Sequence, residues 1–95
     1  MKYIHKEGKK IAKVVLFAIS TCIWCKKTKK LLNELQIAYD YIDVDLEPRE
    51  VRQQINEELK KWTQNVSYPF IIVNEERFIQ GYEEEEIKAM AKNEE

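Results

Sequence analysis

Six consecutive apolar residues, Val14-Val15-Leu16-Phe17-Ala18-Ile19, narrow the folds open to this chain more than any other feature. A strand with one face in solvent alternates apolar and polar residues. An unbroken run rich in β-branched side chains suits a strand covered on both faces. We expect that strand over about Ala12 to Ile19, in the middle of its sheet. The run is too short to cross a membrane and follows a charged segment, so it reads as neither a span nor a signal sequence. The expected location is the cytoplasm.

A helical pattern follows at once. Trp24 or Cys25, then Thr28, Leu31, Leu32 and Leu35 recur at spacings of three and four, which predicts a helix over about Cys22 to Gln36 with these residues on its inner face. Tyr39 to Val44, aromatic and β-branched and bounded by Asp45 and Pro48, predicts the next strand. Strand, helix, strand implies a parallel crossover. Pro48 suits a first helical position, and Val51, Ile55, Leu59 and Trp62 mark the inner face of a second helix ending near Trp62. Trp62 is therefore expected in the core. Phe70 to Val73 and Arg77 to Gln80 read as a hairpin across the turn Asn74-Glu75-Glu76. Glu83 to Glu86 load the first turn of a last helix, where negative charge is favourable, and Ile87, Met90 and Ala91 form its inner face. Ahead of all this, residues 1–11 are polar, with Gly8 as a turn signal and Tyr3-Ile4-His5 as a short extra strand.

The resulting order is β-α-β-α-β-β-α, an α/β class with a four-stranded mixed sheet flanked by three helices. Ninety-five residues with 44% hydrophobic content make one domain, 1–95. The formal net charge of −1 and a pI near 5.9 argue against nucleic-acid binding. Basic residues gather between Lys2 and Lys30 and acidic ones between Glu83 and Glu95, as solvated helix faces and termini do. His5, alone on the terminal segment, reads as a solvent residue and not as a base or ligand.

The chemistry lies in Cys22-Ile23-Trp24-Cys25, which holds both cysteines of the chain. Helical residues three apart stand about 5–6 Å from one another, within the Cα range of a disulfide. In a reducing compartment an isolated pair of this spacing is catalytic or metal-binding more often than structural. Ser20 and Thr21 are capping residue types, which sets Cys22 in or beside the first turn, where unpaired N–H groups and the helix dipole favour a thiolate. Lys26 and Lys27 add positive charge. Such cysteines fall from about 8.5 into a range of roughly 3.5 to 7.5. A fall to about 6 raises the thiolate fraction at neutral pH roughly 30-fold and lowers nucleophilicity roughly 10-fold, so the larger gains are a better leaving group and a more oxidising disulfide. Cys25, one turn further in on the core face, is the shielded partner. Cys22 is thus expected to attack and Cys25 to resolve.

A second reading is metal binding. Zinc takes four ligands, and two cysteines with one distant histidine cannot supply them within a monomer. Two copies pooling their Cys22/Cys25 pairs could hold zinc or, with glutathione, a two-iron two-sulfur cluster.

Taken together, the element order, the dithiol at the first helix start, the proline in Val66-Ser67-Tyr68-Pro69-Phe70 and the glycine in Gln80-Gly81-Tyr82 resemble a glutaredoxin of the thioredoxin fold, over about residues 12–92. The resemblance implies a thiol–disulfide oxidoreductase, monomeric and without a tightly bound cofactor or metal, acting on disulfide-containing proteins or mixed disulfides. It implies a cis peptide before Pro69 facing the dithiol, and Tyr68 backbone that pairs with substrate like a strand. Trp24, as a surface contact residue, with Tyr68, Pro69, Gly81 and Tyr82 would form the substrate rim. Some positions depart from the family's pattern. Ile19 stands where glutaredoxins commonly carry a Lys, Ser67-Tyr68-Pro69 replaces Thr-Val-Pro, and Tyr82 fills the second place of a Gly pair. The cation for a glutathione carboxylate is missing, while Glu83 or Glu84 remains for the amino group, and Lys26 or Lys27 for a carboxylate approaching from a new direction. Gly-aromatic at this place is similar to glutaredoxin-like proteins served by thioredoxin reductase. The electron donor is therefore expected to be glutathione or, preferably, a thioredoxin reductase-type flavoprotein.

Overall fold

The computed structural model describes residues 2–93, as β1 (Ile4–Lys6), β2 (Val14–Ala18), α1 (Ile23–Glu34), β3 (Tyr39–Asp43), a 3-10 turn (Val44–Leu46), α2 (Arg49–Lys60), β4 (Phe70–Val73), β5 (Arg77–Gln80) and α3 (Glu84–Asn93). The apolar run does lie in mid-sheet. β2 runs parallel to β3 on one side and antiparallel to β4 on the other, in the order β1-β3-β2-β4-β5.

The sheet has five strands, the four expected from hydrophobic pattern and the extra one expected near Tyr3-Ile4-His5. The fifth is the short N-terminal one, antiparallel to β3 with Ile4 opposite Tyr41 and Lys6 opposite Tyr39. All its residues are exposed. Backbone pairing to the open edge of β3 makes it a strand, helped by a 2.7 Å contact of His5 Nδ1 with Asp40 Oδ1, so apolar periodicity could not announce it.

Successive side chains of a strand point to opposite faces, and β2 divides accordingly. Val14, Leu16 and Ala18 join Leu31 and Leu32 of α1 and Ile87 and Met90 of α3 in one apolar cluster. Phe17 joins Ile42, Val44, Phe70 and, from α2, Ile55 and Leu59 in the other. Two helices therefore cover one face and one helix the other. α2 ends at Lys60, so Trp62 stands just beyond it, half-buried 6.0 Å from Phe78. Pro48 is the residue before the first helical one, with φ of −58° already suited to the helix.

The C-terminal end of α1 shows how tightly the chain turns into β3. Gln36 takes φ of 59°, and the N–H groups of Gln36 and Ile37 reach back to the carbonyls of Asn33 and Leu32 at 3.0 and 3.1 Å. This is a Schellman closure, with buried Ile37 packed beyond it. Gly8 presses on the same place. Lys9 N–H donates to Gln36 O at 2.6 Å and Ala38 N–H to Lys9 O at 2.9 Å, which brings Gly8 so close that a Cβ on it would lie 2.6 Å from the Ile37 carbonyl carbon. Among the described residues no helix is long and apolar enough to cross a membrane.

Candidate active site

Leaving β2, the chain turns within two residues: Cys22 N–H donates back to Ile19 O at 3.0 Å. The helix then starts at Ile23, and its N-cap is Cys22 itself, extended at φ −80° and ψ 120°, with its Sγ accepting the Cys25 N–H at 3.3 Å. Ser20 and Thr21 are not the caps expected from their residue types. The tight turn places the sulfur where a capping oxygen usually sits. Ser20 is engaged elsewhere, with its N–H on Asp45 Oδ1 at 2.7 Å and its hydroxyl on Asp45 Oδ2 at 2.5 Å.

Both cysteines are free, and their surroundings differ. Burial alone pushes the Cys22 thiol up, but the Cys25 thiol and the N–H groups of Cys25 and Trp24 all donate to its sulfur and together hold it below the ordinary thiol value. Cys25 is only 1% exposed. Burial pushes its thiol up to about 12; the Ile19 N–H, 3.4 Å from its sulfur, and Lys29 pull the other way, while donation to Cys22 adds to the rise. Of the two sulfurs the outer one therefore ionises first, and the inner one holds its proton more tightly. Lys26 and Lys27, open as tuners of Cys22 or as plain solvated helix charges, are not among the groups that lower it. Lys27 instead sets its ammonium 4.6 Å from the centroid of the Trp24 ring.

The residues expected at the rim come from three separate stretches of chain, and of them Pro69 is buried. Trp24, 50% exposed, packs on Tyr82 with ring centroids 5.7 Å apart, and Ile23 beside it is exposed too. Tyr68 is half-buried against both apolar clusters, and its hydroxyl pKa is raised by burial and then by the charge of Cys25. The Tyr68–Pro69 bond is cis, as the family resemblance implied. The Pro69 carbonyl accepts the Gly81 N–H at 2.8 Å, and Gly81 takes φ of +82° with open space where a Cβ would point. Glycine is thus required there for its backbone and not for room. Tyr82 donates its hydroxyl to Glu84 Oε1 at 3.3 Å, and Lys88 holds Glu84 Oε2 at 2.8 Å, so of the two acidic candidates Glu84 is engaged and Glu83 is exposed. Ile19 packs against both clusters.

Two residues beside the dithiol had no signal in the sequence. Asp45 looked like a strand boundary and Lys29 like one of many helix lysines. Only the crossing of β3 beside β2 brings Asp45 to Ser20 and Asp43 to Lys29. No group of three or more His, Cys, Asp or Glu that could hold a metal occurs among the described residues.

A dithiol at the start of the helix that follows a central strand, next to an antiparallel strand opened by a cis-proline, defines a redoxin of the thioredoxin fold. The family model for glutaredoxin matches residues 14–79. The chain is similar to the glutaredoxin from Methanosarcina mazei Go1, at 37% identity and a TM-score of 0.86 over 96% of this chain and 88% of that one. It is similar to the methanoredoxin from Methanosarcina acetivorans, at 37% identity and 0.84 over 88% of each chain, and to the glutaredoxin grx-1 from Archaeoglobus fulgidus, at 26% and 0.76 over 83% of this chain and 85% of that one. Comparison with curated proteins gave no match. The chain belongs to the glutaredoxin family.

Proposed function

We propose that this protein reduces protein or mixed disulfides through its Cys22/Cys25 dithiol. The carrying observation is the unequal pair: Cys22 at the helix cap accepting the Cys25 N–H, and Cys25 buried behind it. The Cys22 thiolate attacks one sulfur of the substrate disulfide, forming a mixed disulfide and releasing the other sulfur as a thiolate. Cys25 then gives up its proton and attacks Cys22. The Cys22–Cys25 bond forms, and the second substrate sulfur leaves as a thiol. Two electrons have passed to the substrate, and the oxidised pair returns by the reverse exchange with glutathione or a thioredoxin reductase-type flavoprotein.

Trp24, Tyr68, Pro69, Gly81 and Tyr82 are the substrate contacts on this reading. The exposed Ile23 and Trp24 favour a protein substrate, since two large apolar side chains beside an attacking sulfur suit a partner that covers them. The working form is a monomer in the cytoplasm. Metal or cluster binding would instead draw on the Cys22/Cys25 pairs of two copies.

The test is selective trapping. At neutral pH and limiting iodoacetamide, Cys22 is expected to alkylate well ahead of Cys25, and Cys25→Ser to accumulate a stable mixed disulfide on Cys22. Equal labelling, or Cys25 first, would overturn the assigned roles. Zinc or iron bound by the purified protein at one ion or more per two chains would favour the metal reading.

A further inference from the structure

On the dithiol mechanism, on which this inference rests, Cys25 must ionise in the mixed disulfide. At that moment Cys22 is covalently occupied and carries no charge to accept the proton. Cys25 is also the more buried sulfur, so the reaction's second step needs something in the protein that favours a negative charge there.

Lys29 is that candidate. It lies four residues after Cys25, one helical turn along the same face. Its ammonium is fixed from two sides, 3.0 Å from Asp43 Oδ1 and 4.1 Å from the centroid of the Tyr41 ring. Asp43 pairs in register with Ala18, the residue before the Ile19 whose N–H reaches the Cys25 sulfur. The Lys29–Asp43 pair, with side chains 23% and 16% exposed, is the most enclosed ion pair among the described residues. A lysine so enclosed is costly to keep for stability alone, because desolvation offsets much of the attraction. The titratable or charged groups facing Cys25 are Cys22 and Lys29 from α1 and Tyr68 from the segment before β4, with Tyr41 and Asp43 of β3 behind Lys29. α3 adds only the apolar Ile87, Met90 and Ala91 to the same cluster. Lys29 is the one cation of this set.

We propose that Lys29, pinned by Asp43 and Tyr41, is a positioning residue that stabilises the resolving thiolate of Cys25. It takes no proton. In resolution Cys25 S–H loses its proton to water, the Cys22–Cys25 bond forms, and the bond from Cys22 to the substrate sulfur breaks.

The two steps separate in stopped flow with 5,5′-dithiobis(2-nitrobenzoate). Attack by Cys22 releases one coloured thiolate, and resolution by Cys25 releases a second, which Cys25→Ser abolishes. Lys29→Met is expected to slow the second phase at neutral pH about tenfold and shift its pH profile upward, while the first phase is unmoved; Lys29→Arg is expected to restore most of the rate. Lys29→Gln keeps a donor for Asp43 without the charge and is expected to behave like Lys29→Met, which covers the case that Met disturbs folding. A second phase with an unmoved pH profile in both uncharged variants, or both phases shifting together, would overturn the role. Absence of any first phase in the unaltered protein would instead overturn the dithiol mechanism, and this role with it.

Discussion

Asp45 grips Ser20 with both carboxylate oxygens, one on the backbone N–H at 2.7 Å and one on the hydroxyl at 2.5 Å. These bonds tie the turn that carries Cys22 to the 3-10 turn after β3, so the reactive loop is anchored from the neighbouring strand as well as from its own helix. Asp45→Ala is expected to lower stability by about 1.5–3 kcal/mol, the net worth of hydrogen bonding to a charged acceptor. The Ser20 hydroxyl and then its N–H hold the Asp45 pKa below the usual carboxylate range. A group depressed on folding stabilises above its unfolded pKa and loses that contribution as pH falls through its folded one. Denaturant melts of the two proteins should therefore differ near neutrality and converge in strong acid. A gap that stays constant down to about pH 2 would contradict the linkage.

Glutathione is expected to be the poorer reductant. Ile19 offers the tripeptide no charge, Tyr82 occupies a place where the family has glycine, and Glu84 is already held by Tyr82 and Lys88. Losing one charge-assisted hydrogen bond amounts to about 1.5–3 kcal/mol, or roughly 10- to 150-fold in affinity. Re-reduction of the oxidised protein should be slow with millimolar glutathione and its reductase, and faster with a thioredoxin reductase-type flavoprotein. Rapid turnover with glutathione would return the chain to ordinary glutaredoxin behaviour.

Gly8→Ala is expected to destabilise by about 1–3 kcal/mol, the usual range for overpacking. The added carbon would meet the Ile37 carbonyl carbon at 2.6 Å and the Ala38 nitrogen and Gln36 oxygen at 2.7 Å, all backbone atoms that cannot swing aside. Urea midpoints measure the loss. The iodoacetamide reactivity of Cys22 should stay as it was, because this contact lies at the opposite end of α1 from the dithiol.

Gln36→Gly is expected to act in the other direction. Gln36 closes α1 at φ of 59°, where a side chain costs about 1–2 kcal/mol that glycine does not bear. Part of that gain is offset by the greater freedom of glycine in the unfolded chain, leaving about 0.5–1 kcal/mol. A lower melting temperature in the variant would count against the Schellman closure as the reason for this backbone.

Sequence alone determined what depends on residues within a turn of one another. The unbroken apolar run put β2 in mid-sheet, and spacings of three and four placed Leu31, Leu32, Ile55, Leu59, Ile87 and Met90 inward, where all are buried. The place of Cys22 at the helix start and of Cys25 one turn further in already made one outer and one inner, since that asymmetry needs no more than the first helical turn. Tertiary structure decided what depends on which strands lie side by side. β1 became a strand only because β3 left an edge open to it, and Gly8 became indispensable only where the chain meets residues 36–38. Ser20 became a ligand of Asp45 instead of a helix cap, 25 residues away in sequence, and Lys29 was singled out from its neighbours by Asp43 and Tyr41. Such contacts have no period and no local spacing. They exist because the parallel crossover lays the C-terminal end of β3 beside the end of β2, and no window of a few residues contains both.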